Sequence, residues 1–235
     1  GILSLGSAYL LDKHYEMKSD LYPANVCYNI ALAVQRTTLT QDYYKTSKEF
    51  TFHAKPTHPA GKKEIYVMVV GETSRAKNWS IYGYERETNP ELSKIEGLTA
   101  FCHVLTESNT THKSVPMLLS SISANDFDSI YFQKGIITAF KEAGFQTAFF
   151  SNQRYNRSFI DFFGKEADTS DFIKEDVADP NYNPSDDELL KLVAKELEKE
   201  TTKLFIVLHT YGSHFNYRER YPADKAFFLP DTPVD

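Results

Sequence analysis

The stretch EIYVMVVGETSR, Glu64–Arg75, places a glutamate just beyond a short, continuous run of apolar and β-branched residues. Such a run is typical of a strand that is covered on both faces of a sheet. Ligands of parallel sheets bind at the carboxyl ends of the strands, so Glu72 stands where a functional carboxylate is expected. A helix-dipole or loop-closing role explains this position about as well as a metal-binding role.

The segments after this strand alternate between helix and strand patterns. Residues 135–145 have helical spacing that stops near Gly144, and QTAFFS, residues 146–151, predicts the next strand. KLFIVLH, residues 203–209, predicts another buried strand. This order predicts an α/β fold with a largely parallel central sheet flanked by helices.

A further helix is predicted by LLKLVAKELEKE, residues 189–200, which follows NPSDD. Ser185 and Glu188 have the spacing of a capping box at its start. The pattern predicts a helix with one apolar side, and the residues on that side are Leu189, Leu190, Val193 and Leu197.

The character of the sequence changes near residue 60. Residues 1–60 are rich in Tyr, Thr and Lys and lack a clear period. KPTHPAGKK, residues 55–63, then supplies two prolines and a glycine of loop material. We therefore expect an irregular or helical arm, residues 1–60, joined to a compact domain, residues 61–235.

Composition argues against several classes of function. The 235 residues are 41% hydrophobic and carry a net charge of -6, which argues against a broad surface for nucleic acid or an anionic membrane. No run approaches the ~18 consecutive apolar residues of a membrane helix. Cys27 and Cys102 are too few for a disulfide framework, and both one bridge and two free thiols are possible.

A second candidate site lies in ESNTTHKSVPMLLSS, Glu107–Ser121. Its apolar part predicts a helix, in which Pro116 is tolerated because it lies near the start. Thr110 and Thr111 then lie at or beside the N-cap, where a threonine more commonly serves only as a cap. A hydroxyl at the positive end of the helix dipole could also be a nucleophile that holds a phosphoryl group.

Other polar residues near strand ends are weak signals when each is considered alone. His214 in GSHF fits a surface loop, and His209 at a strand end fits a packed core residue. Arg154 and Arg157 are of a type that is more often solvated than bound to an anion. No single residue of this set decides the function.

Three segments taken together resemble a known family. They are VVGETSRAKNWSIYGYERETNPEL, residues 69–92, NTTHKSVP, residues 109–116, and GSHFNYRERYP, residues 212–222. They are similar to the periplasmic catalytic domain of bacterial phosphoethanolamine transferases of the alkaline phosphatase/sulfatase superfamily, which include lipid A-modifying enzymes that confer polymyxin resistance. The resemblance implies an alkaline phosphatase/sulfatase-like sandwich, with residues 61–235 as the N-terminal portion of the catalytic domain.

The resemblance also implies roles for individual residues. Glu72 matches the family's zinc-binding glutamate, and Thr111 matches the nucleophilic threonine, whose oxygen is also a zinc ligand. Zinc accepts both carboxylate and alkoxide oxygens, lowers the pKa of the hydroxyl and neutralises charge on the phosphoryl group. His214 matches a histidine that contacts the phosphoethanolamine group and can protonate a leaving oxygen.

The segment SNQRYNRSF, residues 151–159, lies where the family carries an asparagine and a lysine that bind the same group. The resemblance therefore implies Asn152 or Gln153 as a substrate-binding residue, with Arg157 in the place of the lysine. An arginine would keep the positive charge and add a forked geometry for phosphate.

Two features depart from the family pattern. The family's remaining zinc ligands lie in a D-H-G-E motif, and this sequence reaches PDTPVD without one. The resemblance therefore implies that these 235 residues alone bind zinc weakly or not at all and do not catalyse the transfer reaction. Better-known members also carry several disulfides, whereas this sequence contains only Cys27 and Cys102.

The family implies a two-step transfer by the intact enzyme. Thr111 takes phosphoethanolamine from phosphatidylethanolamine, and a lipid A phosphate or core sugar then takes the group from the phosphothreonine. We expect a periplasmic domain of an inner-membrane protein, delivered to the bilayer by an N-terminal membrane segment outside these residues. No nucleic-acid partner is expected.

Three alternative functions stay open. A sulfatase or other phosphohydrolase of the superfamily would share the sheet and Glu72, but sulfatases need a C/S-x-P-x-R motif that this sequence lacks. A glycerol-phosphate transferase would also use a threonine, so only its products distinguish it. The missing D-H-G-E motif also fits a non-catalytic, metal-free envelope-binding module.

Overall fold

The protein is represented by a computed structural model that describes residues 22–175 and 183–231. The chain forms two compact units. One contains the residues up to Phe50 together with Tyr131–Gln133, and the other contains Thr51–Ile130 and Lys134–Asp235. The predicted arm and domain boundary at residue 60 stay predictions, and residues 1–21 of that arm lie outside the described residues.

The described part of the first unit contains two helices, α1, Ala24–Gln41, and α2, Tyr43–Thr46. Tyr43 is buried, and its hydroxyl donates a hydrogen bond to the Gln133 carbonyl at 3.0 Å. Neither these helices nor any other in the described residues combine the length and apolar character needed to cross a membrane.

The second unit is built on a four-stranded sheet in which all neighbouring strands are parallel. The strands lie in the order β1-β4-β2-β3. They are β1, Glu64–Val70, β2, Gln146–Ser151, β3, Thr169–Phe172, and β4, Lys203–His209. The predicted α/β fold with a largely parallel sheet is confirmed, and β1, β2 and β4 have the predicted bounds.

The helices of the second unit are α3, Thr111–Leu118, α4, Ile136–Glu142, α5, Phe159–Gly164, and α6, Glu188–Leu197. The described residues also form 3-10 turns at Ala76–Asn78, Ser80–Tyr82, Leu92–Lys94, Ala124–Tyr131, Tyr217–Glu219 and Ala223–Lys225. The sequence did not predict β3 or α5.

Helices pack on both faces of the sheet. On one face, Leu189 of α6 forms a buried cluster with Ala148, Phe150, Leu204, Ile206 and Leu208. On the other face, Phe140 of α4 stacks on Phe205 with ring centroids 3.8 Å apart. Gly164 of α5 lies so close to Phe149 that a Cβ there would be 2.5 Å from its ring. Full burial of each large apolar side chain contributes about 1.5–3 kcal/mol to stability.

Strand β1 is an edge strand of the described sheet and most of its residues are not buried, so the prediction of a strand covered on both faces is wrong. The side chains of Ile65, Val67 and Val69 are 38%, 48% and 63% exposed, and within the described residues β1 pairs only with β4. The apolar run predicted the strand itself correctly, because β-branched residues favour the extended backbone. The apolar run does not show which helices or loops pack over the strand.

The capping box predicted for Ser185 and Glu188 is also wrong. Helix α6 begins at Glu188, its N-cap is Asp187, and no side chain caps it. The Glu188 N–H donates to the Ser185 carbonyl at 3.1 Å, so a backbone turn replaces the hydroxyl cap. Of the predicted apolar side, Leu190 and Leu197 are 59% and 50% exposed, because the helix turns Leu189 and its neighbours Leu192 and Val193 toward the sheet.

Candidate active site

The loops that follow β1 and β4 are joined by backbone hydrogen bonds beside Glu72. The Thr210 N–H donates to the Val70 carbonyl and the Ser213 N–H to the Glu72 carbonyl, both at 3.0 Å. Gly212 between them has a φ of +50°, and a Cβ there would lie 2.9 Å from the Glu72 carbonyl oxygen. A side chain at this position would push the loops apart, so the glycine lets them meet.

The Thr111 hydroxyl contacts the Glu72 carboxylate. Thr111 is the first residue of α3, and the extended N-cap residue Thr110 makes no side-chain cap. The Thr111 Oγ1 donates to Glu72 at 3.0 Å from Oε2 and 3.2 Å from Oε1. The Thr73 hydroxyl donates to Oε1 at 2.8 Å. The structure thus brings together the two residues that the resemblance associates with zinc.

An open cavity of about 550 Å³ lies beside this contact. Its wall includes Glu72, Thr111, Gln153 and His214. The volume lies in the usual range of small-molecule sites, which is about 300–1,000 Å³. Polar side chains from four separate parts of the chain therefore surround one space large enough for a small molecule.

His214 is partly buried at the cavity wall and is held by aromatic neighbours. Its ring stacks on Tyr211, with centroids 4.9 Å apart and an interplanar angle of 13°, and lies 4.3 Å from the ring of Phe215. These ring contacts limit how far the imidazole can rotate. Its role as a proton donor stays a prediction.

His209 is packed in the core, and it also forms part of the cavity wall. Its Nδ1 lies 3.3 Å from the Ser151 hydroxyl, and its buried Nε2 has no hydrogen-bond partner among the described residues. Burial lowers the pKa of His209 to about 4, and the nearby carboxylates of Glu72 and Asp186 oppose this shift. The imidazole is therefore neutral at pH 7 and can act as an acceptor or ligand.

The three predicted substrate-binding residues lie in different places. Gln153 lines the cavity and donates to the Thr210 carbonyl at 3.0 Å. Asn152 is fully buried, and its amide donates to the Pro184 carbonyl at 2.9 Å. Arg157 is exposed and has a φ of 62°. The cavity wall formed by the described residues includes neither Asn152 nor Arg157, and the substrate-binding roles stay predictions.

Asp186 connects the β4 loop to the end of β2 and was not predicted from the sequence. Its Oδ1 accepts hydrogen bonds from the Tyr211 N–H and the Asn152 amide, and its Oδ2 accepts one from the Gly212 N–H, each at 2.8 Å. Within NPSDD it looks like an ordinary acidic residue at a helix start. Only the folded chain brings its three donors to it.

The described residues supply two oxygen donors for a zinc ion. Glu72 Oε2 and Thr111 Oγ1 are 3.0 Å apart, close enough for one cation to contact both. Residues 22–175 and 183–231 contain no group of three or more His, Cys, Asp or Glu residues that could hold a metal ion. They therefore fit one part of a zinc site.

Cys27 and Cys102 are exposed free thiols.

Known proteins match most of the second unit. The Sulfatase family matches residues 64–234. Phosphatidylethanolamine transferase Mcr-1 of Escherichia coli is 31% identical over 207 residues, which cover 80% of this chain and 38% of that protein. Phosphoethanolamine transferase EptC of E. coli O18:K1:H7 is 27% identical over 173 residues, which cover 71% and 30%. The chain thus spans well under half the length of these relatives.

Solved structures have the same fold. The zinc complex of the C-terminal periplasmic domain of E. coli EptC has a TM-score of 0.64 and 26% identity, covering 69% of this chain and 47% of that one. The soluble domain of lipooligosaccharide phosphoethanolamine transferase A from Neisseria meningitidis has a TM-score of 0.65 and 28% identity, covering 76% and 55%. From this fold and from the family match over residues 64–234, the chain belongs to the sulfatase family.

Proposed function

We propose that the protein is a phosphoethanolamine transferase that moves the group from phosphatidylethanolamine to a lipid A phosphate or core sugar through Thr111. The observation that carries the proposal is the contact between the Thr111 hydroxyl and the buried Glu72 carboxylate. The hydroxyl lies at the start of α3, where helix N–H groups favour a phosphoryl anion. The names of the two curated relatives support the choice of transferred group.

In the first step, the Thr111 oxygen attacks the phosphorus and the bond to diacylglycerol breaks. The proton of the attacking hydroxyl passes to the Glu72 carboxylate, which already accepts its hydrogen bond, and His214 delivers a proton to the leaving oxygen. A zinc ion, held in part by Glu72 and Thr111, would supply a lower hydroxyl pKa and charge neutralisation when bound.

In the second step, an oxygen of the acceptor attacks the same phosphorus. The bond from phosphorus to the Thr111 oxygen breaks, and that oxygen regains the proton from Glu72. The proton of the attacking acceptor O–H group passes to His214, which restores both residues. The N-terminal amides of α3 stabilise the phosphoryl charge in both steps, and Gln153 contacts the head group from the opposite loop. Each step exchanges one phosphorus–oxygen bond for another.

The proposed location is the periplasmic side of the inner membrane, with residues 1–60 as the juxtamembrane arm. The E. coli EptC structure that matches this chain is also a periplasmic domain. There the donor phospholipid and the lipid A or core acceptor are both accessible. Weak or absent zinc binding by these 235 residues alone remains part of the proposal.

The test is the intact mass of the protein at its full encoded length after incubation with phosphatidylethanolamine in detergent. We expect a phosphoethanolamine adduct on Thr111, and we expect Thr111→Ala to lower transfer on the order of 1,000-fold or more because the nucleophile is lost. Thr111→Ser retains a hydroxyl and should keep part of the activity. The control is Thr106→Ala, which removes an exposed threonine outside the cavity.

An adduct that persists in Thr111→Ala, or one that maps to another residue, would contradict the proposal. A parallel incubation uses phosphatidylglycerol as the donor. A glycerol-phosphate adduct on Thr111 there, with no adduct from phosphatidylethanolamine, would support the nucleophile and replace the proposed donor chemistry. Product masses therefore separate the two transferase reactions.

A further inference from the structure

Lys174 is a buried lysine on the wall of the cavity that also contains Thr111. The residue is only 7% exposed, and its Nζ lies 3.1 Å from the centroid of the Tyr211 ring. The ammonium group donates to the Asn183 side-chain oxygen at 3.2 Å. These direct contacts, made within the described part of the chain, are both neutral. A buried ammonium ion with neutral contacts keeps much of its desolvation cost.

Two further cations lie near Lys174. The side chain of Arg220 is 9% exposed, its Cζ lies 4.0 Å from the Tyr211 centroid, and its Nε has no hydrogen-bond partner among the described residues. Arg154 lines the same cavity. Burial, followed by the charges of Arg220 and Arg154, lowers the pKa of Lys174 to about 8. Lys174 and Arg154 thus line one cavity, and Arg220 packs on the Tyr211 ring that forms part of its wall.

The nearby carboxylates are engaged elsewhere. Asp186 accepts hydrogen bonds from the β4 loop and from Asn152. Glu219 pairs with Arg220 at 3.0 Å and accepts a hydrogen bond from the Asn183 amide at 2.9 Å. Both carboxylates raise the pKa of Lys174, but they oppose the larger effects of burial and of the two arginines. An anionic ligand in the cavity would supply the missing charge.

We propose that Lys174 is an anion-binding residue of the cavity and that its ligand is a phosphate group of the donor or of the acceptor. The choice of phosphate rests on the proposed function, whereas the preference for an anion rests on the surroundings of Lys174. A lysine ammonium binds phosphate through charge-assisted hydrogen bonds that are about twice as strong as neutral ones.

The first test measures binding of phosphoethanolamine by calorimetry. We expect Lys174→Met to raise Kd at least about tenfold and Lys174→Arg to retain most of the affinity, because arginine keeps the charge. The matched control is Lys165→Met. Lys165 also lies over a tyrosine ring, with its Nζ 4.8 Å from the Tyr155 centroid, but it is exposed and lies outside the cavity wall.

A second measurement uses the wild-type protein and does not depend on how a variant folds. The phosphate of phosphoethanolamine loses its second proton near pH 6, so it is a dianion throughout the alkaline range. Lys174, faced by Arg154, Arg220, Asp186 and Glu219, is protonated below a pKa of about 8. Affinity should therefore fall as the pH rises through about 8 to 9. It should not fall in Lys174→Arg.

Kinetics then identify the source of the phosphate. If the donor supplies it, Lys174→Met raises the KM for phosphatidylethanolamine in formation of the Thr111 adduct. If the acceptor supplies it, adduct formation is unchanged and only transfer to a phosphate-bearing acceptor slows, whereas transfer to a sugar hydroxyl does not. Either pattern supports the anion site.

The proposal is overturned if Lys174→Met binds phosphoethanolamine within about twofold of Lys165→Met and both steps keep their rates. The outcome is separable from that of the proposed function. If the protein forms no adduct with phosphatidylethanolamine but binds phosphoethanolamine through Lys174, the proposed transferase reaction is wrong and the anion site at Lys174 is still supported.

Discussion

Replacing Asp186 by asparagine should loosen the loop that carries Tyr211 and Gly212. The carboxylate accepts three hydrogen bonds of 2.8 Å, and asparagine has one acceptor oxygen in place of two. Whichever way the new amide turns, its NH₂ faces at least one N–H donor of the protein. A hydrogen bond to a charged group contributes about 1.5–3 kcal/mol, so we expect a loss of about 2 kcal/mol of unfolding free energy.

The assay is thermal unfolding of the purified protein, followed by transfer kinetics. For a domain of this size 1 kcal/mol corresponds to about 2–4 °C, so Tm should fall by about 4–8 °C. Asp187→Asn is the matched control, because Asp187 is exposed and its side chain caps nothing. It should change stability by less than about 0.5 kcal/mol. Equal Tm and equal kinetics for the two variants would refute the assigned role of Asp186.

Two further predictions concern the backbone at the site and the opposite end of the sheet. Gly212→Ala should lower stability by about 1–3 kcal/mol and lower transfer, since its φ is positive and the new Cβ meets the Glu72 backbone. The control is Gly97→Ala, because Gly97 has a φ of +78° with open space around it and its substitution measures the cost of a positive φ alone. If the two variants lose transfer equally, the contact of the new Cβ at position 212 with the Glu72 backbone does not explain the loss. The buried Glu64 has a pKa of about 2, and the hydrogen bond from Lys203 is the largest cause of this low value. Its contribution to the free energy of unfolding is therefore present above pH about 4.5 and is lost as the pH falls toward 2. Urea unfolding across this range should show a weaker pH dependence in Glu64→Gln, and an unchanged dependence would contradict the assignment.

Local patterns predicted the elements that place Glu72 and Thr111. The apolar runs of β1, β2 and β4 are continuous and bounded by polar residues, so their limits were visible in the sequence. The start of α3 was visible because threonines precede an apolar run. In contrast, β3 has four residues and α5 has six, and segments this short have too few positions to establish a period.

The rest of the candidate site depends on contacts between distant segments. Asp186 accepts a hydrogen bond from the Tyr211 N–H, and Lys174 lies over the Tyr211 ring. Nothing around Asp186 or Lys174 in the sequence points to Tyr211 as a partner. The resemblance implied Arg157 in the place of the family's lysine, and this role stays a prediction; the arginine that lines the cavity is Arg154. Arg154 and Arg157 are three residues apart in the same loop, and the local sequence does not distinguish which of the two side chains faces the cavity.

The hydroxyl of Thr111 gains its distinctive surroundings only when two stretches 39 positions apart have met, each held by a different strand or helix. In a nascent or denatured polypeptide it is one ordinary alcohol among many, without a carboxylate beside it. The proposed reactivity of Thr111 therefore requires the folded protein, because only folding places the Glu72 carboxylate beside the hydroxyl.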